Sequence, residues 1–333
     1  MFDLSFIWAG IIAFAVLTYV VLDGFDLGVG ILFPFADGER EKDTMMNSVA
    51  PIWDGNETWL VLGGGGLFAV FPLAYAVIMP ALYMPIILML LALVFRGVAF
   101  EYRWRTARWK PVWDLAFFGG SLVAAFMQGI ALGALVQGIK FADRAYAGGW
   151  WDWLSVFSIL TGFAVVVGYA LLGATWLILK TEGPLQRQMQ RYAWWLGAGT
   201  LAFIGIVSVL TPFQDPVYFE RWFNLPGSVL SVLMPGAVLA ASWALFTGLN
   251  AGKDAQPFLA SLALFVLCFI GIGISFYPNI VPPGLTIAAA AAPDKSLRFA
   301  LVGTVVLVPI ILGYTAYAYW VFRGKIDPSE GYH

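Results

Sequence analysis

Asp23 and Asp26 stand in Val20-Val21-Leu22-Asp23-Gly24-Phe25-Asp26-Leu27-Gly28-Val29-Gly30, inside an otherwise apolar segment. Their i, i+3 spacing puts both carboxylates on one face of a helix. A second acidic pair with the same spacing, Asp54 and Glu57, lies in Trp53-Asp54-Gly55-Asn56-Glu57-Thr58-Trp59, and a third segment ends in Phe95-Arg96 and Glu101-Tyr102-Arg103, mixing both signs. A charged group within a membrane span costs about 2.5–3.5 kcal/mol on insertion scales, so each needs a partner, water or a task. Carboxylates at membrane depth with access to water can pass protons along hydrogen-bonded chains. Asp54, flanked by two tryptophans, a glycine and an amide, is the leading candidate for such a proton path, followed by Asp23 and Asp26. Glu57, Arg96, Glu101 and Arg103 read as a charge network at helix ends. For any one of these residues, plain charge pairing is the competing explanation.

The composition calls for membrane spans to carry these groups. Of 333 residues, 61% are hydrophobic and 11% charged, against roughly 45–50% and about 25% in soluble proteins. Mean hydropathy is +0.82. A net charge of −2 argues against nucleic acid as a partner. The single cysteine, Cys268, excludes an intrachain disulfide framework. The single histidine, His333, is the last residue, so the body of the chain offers no imidazole for haem, zinc or a catalytic triad, and no metal site is expected.

Nine stretches supply the roughly 20 apolar residues that a bilayer crossing requires, at about 6–34, 57–79, 77–100, 113–136, 153–179, 193–211, 229–249, 257–277 and 299–322. The second and third abut near Pro72 to Pro80, where a very short turn is expected. The expectation is an all-α integral membrane protein of about nine transmembrane helices packed as helix bundles, a single polytopic domain over 1–333, with no cleaved signal peptide. With the amino terminus outside, the inner segments hold twelve basic residues: Arg40, Lys42, Arg103, Arg105, Arg108, Lys110, Lys180, Arg187, Arg191, Lys253, Arg323 and Lys325. The outer ones hold five, Lys140, Arg144, Arg221, Lys295 and Arg298. That imbalance favours a periplasmic amino terminus and a cytoplasmic carboxyl terminus. Gly24, Gly28, Gly30, Gly63 to Gly66, Gly129 and Gly133 read as close helix contacts.

The Asp23–Gly30 run, the block Asn47-Ser48-Val49-Ala50-Pro51-Ile52-Trp53-Asp54-Gly55-Asn56-Glu57-Thr58-Trp59-Leu60, and Phe95-Arg96 with Phe100-Glu101-Tyr102-Arg103 resemble subunit II of the cytochrome bd-type quinol oxidases. The segment Phe276-Tyr277-Pro278-Asn279-Ile280-Val281-Pro282-Pro283-Gly284-Leu285-Thr286-Ile287 resembles the last outer loop of that family, especially its cyanide-insensitive branch. The resemblance runs from residue 1 to about 325. It implies a bacterial inner (plasma) membrane complex that oxidises quinol and reduces O2 to water. In it, a partner subunit I carries two b-type haems and haem d, and this chain ligates none. It further implies that Asp54 lies on a cytoplasmic proton path and Trp59 on an oxygen-access route. Membrane quinol and lipids are expected partners, and a small single-helix accessory subunit and a bound quinone or lipid are compatible with it. The departure is Ala288 to Ala292 after Ile287, where the family commonly has Trp and a polar or acidic residue. A proton-coupled secondary transporter and a purely structural scaffold are the alternatives.

Overall fold

A computed structural model describes residues 3–224 and 227–326; His333 lies outside the described residues. Eight helices among them are long and apolar enough to cross a membrane. Asp3 caps α1 (Leu4–Leu32), its side chain accepting from the Ser5 amide. The short amphipathic α2 (Glu39–Asn47) leads into α3 (Trp53–Val70). The expected span over 57–79 is broken. Helix α3 ends at Phe71, and Pro72 starts a ten-residue α4 (Pro72–Ala81), which ends at Leu82 before α5 (Tyr83–Tyr102). Proline donates no backbone hydrogen bond, so it is tolerated at a helix start and stops the preceding one. With two carboxylates and five glycines in eighteen residues, α3 lacks the continuous apolar stretch that the eight spans contain. It nevertheless lies antiparallel along α1: Asn56 meets Asp26, and further along Gly63 faces Val16 and Gly66 faces Ile12.

The remaining long helices are α6 (Lys110–Val136), α7 (Val156–Lys180), α8 (Gly183–Leu210), α10 (Gly227–Asn250), α11 (Ala255–Phe276) and α13 (Asp294–Val321). A second short amphipathic helix, α9 (Pro216–Phe223), joins α8 to α10. Two small hairpins, β1–β2 (Phe141–Ala142 with Ala145–Tyr146) and β3–β4 (Asn279–Val281 with Leu285–Thr286), and α12 (Ile287–Ala290) fill the opposite end. The motif-bearing loop around Pro282 is tied down there, its carbonyl accepting from the Ile139 amide at 3.1 Å.

Helices α1, α3, α5 and α6 pack as one bundle and α7, α8, α10 and α11 as another, with α1 and α7 crossing at the seam. Glycines set that crossing. A Cβ on Gly28 would collide with the Tyr169 carbonyl, and one on Gly173 with the backbone of Gly28. Gly129 and Gly133 perform the same service between α6 and α7, where the Thr161 hydroxyl donates to the Gly129 carbonyl at 2.8 Å. Small residues bring backbones within van der Waals reach, which drives helix association where no hydrophobic effect operates. Gly64 and Gly65 differ from the packing expectation: among the described residues nothing comes within 4 Å of a Cβ placed on either.

Helix α13 is barely covered; none of its most apolar 18-residue window is buried. Its tail is strapped to the end of α7 instead. Lys180 Nζ donates to the Phe322 and Gly324 carbonyls, and the Ile326 amide donates to the Lys180 carbonyl. Lys325 Nζ donates to Ile178 and Thr181 carbonyls and pairs with Asp254 at 2.8 Å. Cations at a helix C-terminus satisfy its last carbonyls and complement its dipole.

Candidate functional site

Arg96, on α5, is the centre of the buried charge cluster. Its side chain is fully buried, with Nη1 donating to Asp23 Oδ1 at 2.6 Å and Nη2 3.6 Å from Asp26 Oδ2. Glu57 Oε2 lies 3.8 Å from Nη1. Trp53 and Phe100 stack on each other at 4.9 Å, and the guanidinium sits 5.9 Å from each ring. Gly120 of α6 allows this, because a side chain there would press on the Ala92 carbonyl and the Arg96 backbone. The i, i+3 spacing therefore does what it predicts: Asp23 and Asp26 face one cation from a neighbouring helix. Two acids and one guanidinium leave the cluster short of positive charge. Asp23 Oδ2, Asp26 Oδ1 and Arg96 Nε make no hydrogen bond among the described residues.

Polar side chains from three further helices extend the cluster. Asn56 Nδ2 donates to Asp26 Oδ2 at 2.8 Å, and Tyr319 of α13 donates to Asn56 Oδ1 at 2.9 Å. On the other side, Tyr19 stands one helical turn from Asp23 on α1 and accepts from Gln128 Nε2 at 2.9 Å; the Tyr169 hydroxyl donates to Gln128 Oε1 at 2.7 Å. Asn56, Tyr19 and Tyr169 are buried, and Gln128 and Tyr319 are half-buried. Trp59 is also fully buried, packed beside Ala15 and Tyr19 and edge-on to Phe14 at 5.8 Å. Its indole N–H makes no hydrogen bond within the chain.

Asp54 occupies a different place from the one its neighbours suggest. Trp53 turns towards Phe100 and Trp59 towards α1, so the two tryptophans do not enclose it. It stands exposed on the outer stripe of α3, in line with Thr58, Val61, Gly65 and Phe68.

The charge network is two layers rather than one. Arg103, seven residues beyond Arg96 and so about 10 Å further along α5, is buried in a second knot. Its Nε lies 2.5 Å from Asp114, Nη1 2.6 Å from Asp43 and Nη2 3.2 Å from Glu39. Lys42 and Lys110 complete it, at 2.8 Å from Asp114 and Glu39 respectively. Three cations thus meet three anions, pinning α2 to the ends of α5 and α6. Glu101 is not part of it; it pairs with exposed Arg105 at 3.2 Å.

Among the described residues there is no group of three His, Cys, Asp or Glu side chains that could hold a metal. They contain no histidine, and the lone thiol of Cys268 lies half-buried among apolar residues of α11. That donor set does not fit haem. An apolar groove of ≈ 420 Å³ does run between α1 and α13, lined by Ile7, Gly10 and Phe14 on one side and Val305, Val308 and Pro309 on the other.

The fold and site therefore define a polytopic membrane protein with a buried ion-pair cluster. The family model for cytochrome bd terminal oxidase subunit II matches residues 4–322, and the chain belongs to that family. Cytochrome bd oxidase is a quinol:O2 oxidoreductase complex of the bacterial inner membrane, and this chain is one of its subunits. It is 31% identical to the cytochrome bd ubiquinol oxidase subunit 2 of Bacillus subtilis, over 99% of both chains. It is 33% identical to the cytochrome bd-I ubiquinol oxidase subunit 2 of Escherichia coli, over 98% of this chain and 96% of that one. The bd oxidase structure from Geobacillus thermodenitrificans shares the fold, with a TM-score of 0.81 at 16% identity, covering 96% of this chain and 98% of that one.

Proposed function

We propose that this chain serves the oxidase by carrying protons and admitting oxygen, while a partner subunit I holds two b-type haems and haem d. The observation that carries the proton role is the buried cluster of Asp23, Asp26 and Arg96, held by side chains from four helices. A scaffold could have paired one acid with one cation; two acids against one guanidinium is a costly arrangement unless a proton can come and go. Glu57, half-buried and 3.8 Å from Arg96, connects the cluster to the surface. Asp54 stands on the bare face of α3, beside equally bare α13, and we assign that face to the partner, so that Asp54 passes protons across the interface. Helix α3 lies along α1 far enough to count as a ninth crossing, which puts the two termini on opposite sides, and the excess of basic residues in the inner segments then favours a periplasmic amino terminus and a cytoplasmic carboxyl terminus. The charge clusters then lie in the cytoplasmic half, where protons for oxygen reduction are drawn. Trp59, behind Phe14 at the wall of the apolar groove, marks the oxygen route, and the groove has the volume for a quinone tail or lipid chain.

The test is Asp54→Asn and Asp23→Asn, made singly in the assembled complex, with quinol oxidase turnover and haem content measured separately. Turnover should fall while haem absorbance stays intact. Unchanged turnover in both variants removes the proton role, and loss of haem reassigns the residues to assembly.

A further inference from the structure

Proton transfer on and off Asp26 needs a route that the ion pairs themselves do not supply. Asp26 is fully buried. One carboxylate oxygen is taken by Asn56 Nδ2 and the other accepts no hydrogen bond from the chain. An amide passes protons poorly, because neither its nitrogen nor its oxygen readily gains and loses one near neutral pH. Asn56 is thus a plug in front of Asp26, and Tyr319 holds the plug in place by donating to its oxygen. Immediately outside the plug lies a cleft of ≈ 20 Å³, bounded by Gly55 and Asn56 of α3 and by Tyr314, Thr315, Ala318 and Tyr319 of α13. A cavity of about 10–15 Å³ or more with polar partners suffices for one water molecule. Gly55 leaves the space open: a Cβ there would reach only Tyr314, at 4.0 Å.

We infer that the α3–α13 cleft is a one-water gate through which Asp26 exchanges protons with the outside of this chain, with Asn56 as the gate and Tyr319 as its latch. The proposal rests on the proton-carrying reading of the buried acids. When Tyr319 releases the amide, Asn56 Nδ2 leaves Asp26 Oδ2 and the cleft water reaches the carboxylate. A proton arriving on that water as hydronium bonds to the carboxylate oxygen, leaving a neutral carboxyl and a neutral water; the reverse transfer returns it. Tyr319 and Asn56 position and obstruct; neither needs to ionise. The Tyr319 ring is held independently, near Trp176 at 6.3 Å and Phe25 at 6.5 Å, so removing its hydroxyl leaves the packing in place.

The experiment is single-turnover proton uptake by the intact oxidase complex, read with a pH-sensitive dye, with haem oxidation followed optically in the same samples. Ala318→Leu fills the cleft without touching an acid and should slow uptake about tenfold, the factor that ~1.4 kcal/mol on a barrier represents. Tyr319→Phe frees the plug and should speed uptake. A purely structural role for α13 would slow both. If both variants slow uptake, or if neither changes it, the gate is refuted. Asp26→Asn separates this from the parent reading. If Asp26→Asn slows uptake and Ala318→Leu does not, the proton path stands and the cleft is not its gate. If Asp26→Asn leaves uptake unchanged, the proton role of the cluster falls and the gate falls with it.

Discussion

Replacing Arg96 by methionine tests whether the acid cluster is as finely balanced as its geometry indicates. The substitution keeps length and apolar packing but removes the one cation that faces Asp23 at 2.6 Å and Asp26 at 3.6 Å. Removing one partner of a buried ion pair costs about 3–5 kcal/mol, because an uncompensated charge stays behind. Asp26 retains its bond from Asn56, so the burden falls on Asp23. Against a total stability of roughly 5–15 kcal/mol, that loss is severe. At about 2–4 °C per kcal/mol for a large domain, it lowers the melting temperature by about 6–20 °C. Arg96→Lys restores the charge without the two-pronged guanidinium and should fall in between. The decisive variant is Asp23→Asn combined with Arg96→Met. Removing the stranded carboxylate should recover on the order of 0.5–3 kcal/mol, the range found for directly coupled neighbours. The assay is thermal unfolding of the detergent-solubilised complex, followed by tryptophan fluorescence and by retention on size exclusion. If Arg96→Met melts with the unaltered protein, or if the double variant is less stable than Arg96→Met alone, the reasoning from unpaired buried charge is wrong.

Three further outcomes follow from the packing and the second charge layer. Gly28→Ala should destabilise by about 1–3 kcal/mol, since overpacked contacts cost that much, whereas Gly64→Ala should leave the isolated chain unchanged because nothing lies near it; melting temperatures distinguish them. Arg103→Ala removes three charge-assisted bonds but leaves Asp114 with Lys42 and Glu39 and Asp43 with Lys110; it should cost about 1–3 kcal/mol and expose α2 to protease, with cleavage within Glu39–Asn47 as the readout. Tyr169→Phe strips the Gln128 oxygen of its donor and should cost about 1–3 kcal/mol without changing oxidase turnover, measured as stability and oxygen consumption on the same preparation.

Local spacing made part of this site readable and distance in sequence hid the rest. Asp23 and Asp26 share a face because helices repeat every 3.6 residues, and no tertiary knowledge is needed to say so. Spans were legible for the same kind of reason, since apolar length is a property of the segment itself. The break between α3 and α4 was half-visible: Pro72 announces an interruption, but Leu82 ends α4 with no comparable signal. The surroundings of Asp54 are not legible from adjacency, because chain neighbours are not spatial neighbours on a helix; Trp53 and Trp59 point in different directions from it. Arg103 pairs with Asp43 and Asp114 rather than with nearby Glu101, and only the packing of α2 and α6 brings those acids in. Gln128 did leave a trace, as a lone amide in an apolar span, a residue type that seeks a partner when buried. Its two tyrosines, each on a different helix, left none.

Because Tyr319 completes the shell around Asn56 from 263 positions away, the acid cluster is finished by a helix synthesised long after the acids themselves. Until α13 is inserted and its tail fastened by Lys180 and Lys325, the amide in front of Asp26 has no latch and the side of α3 facing α13 lies open. A chain cut short before α13 would keep most of its packed core yet leave its costliest residues unsealed towards lipid. Insertion of α13 is thereby coupled to closure of the charge site, and a membrane protease that senses exposed polar groups could tell chains with α13 in place from chains without it.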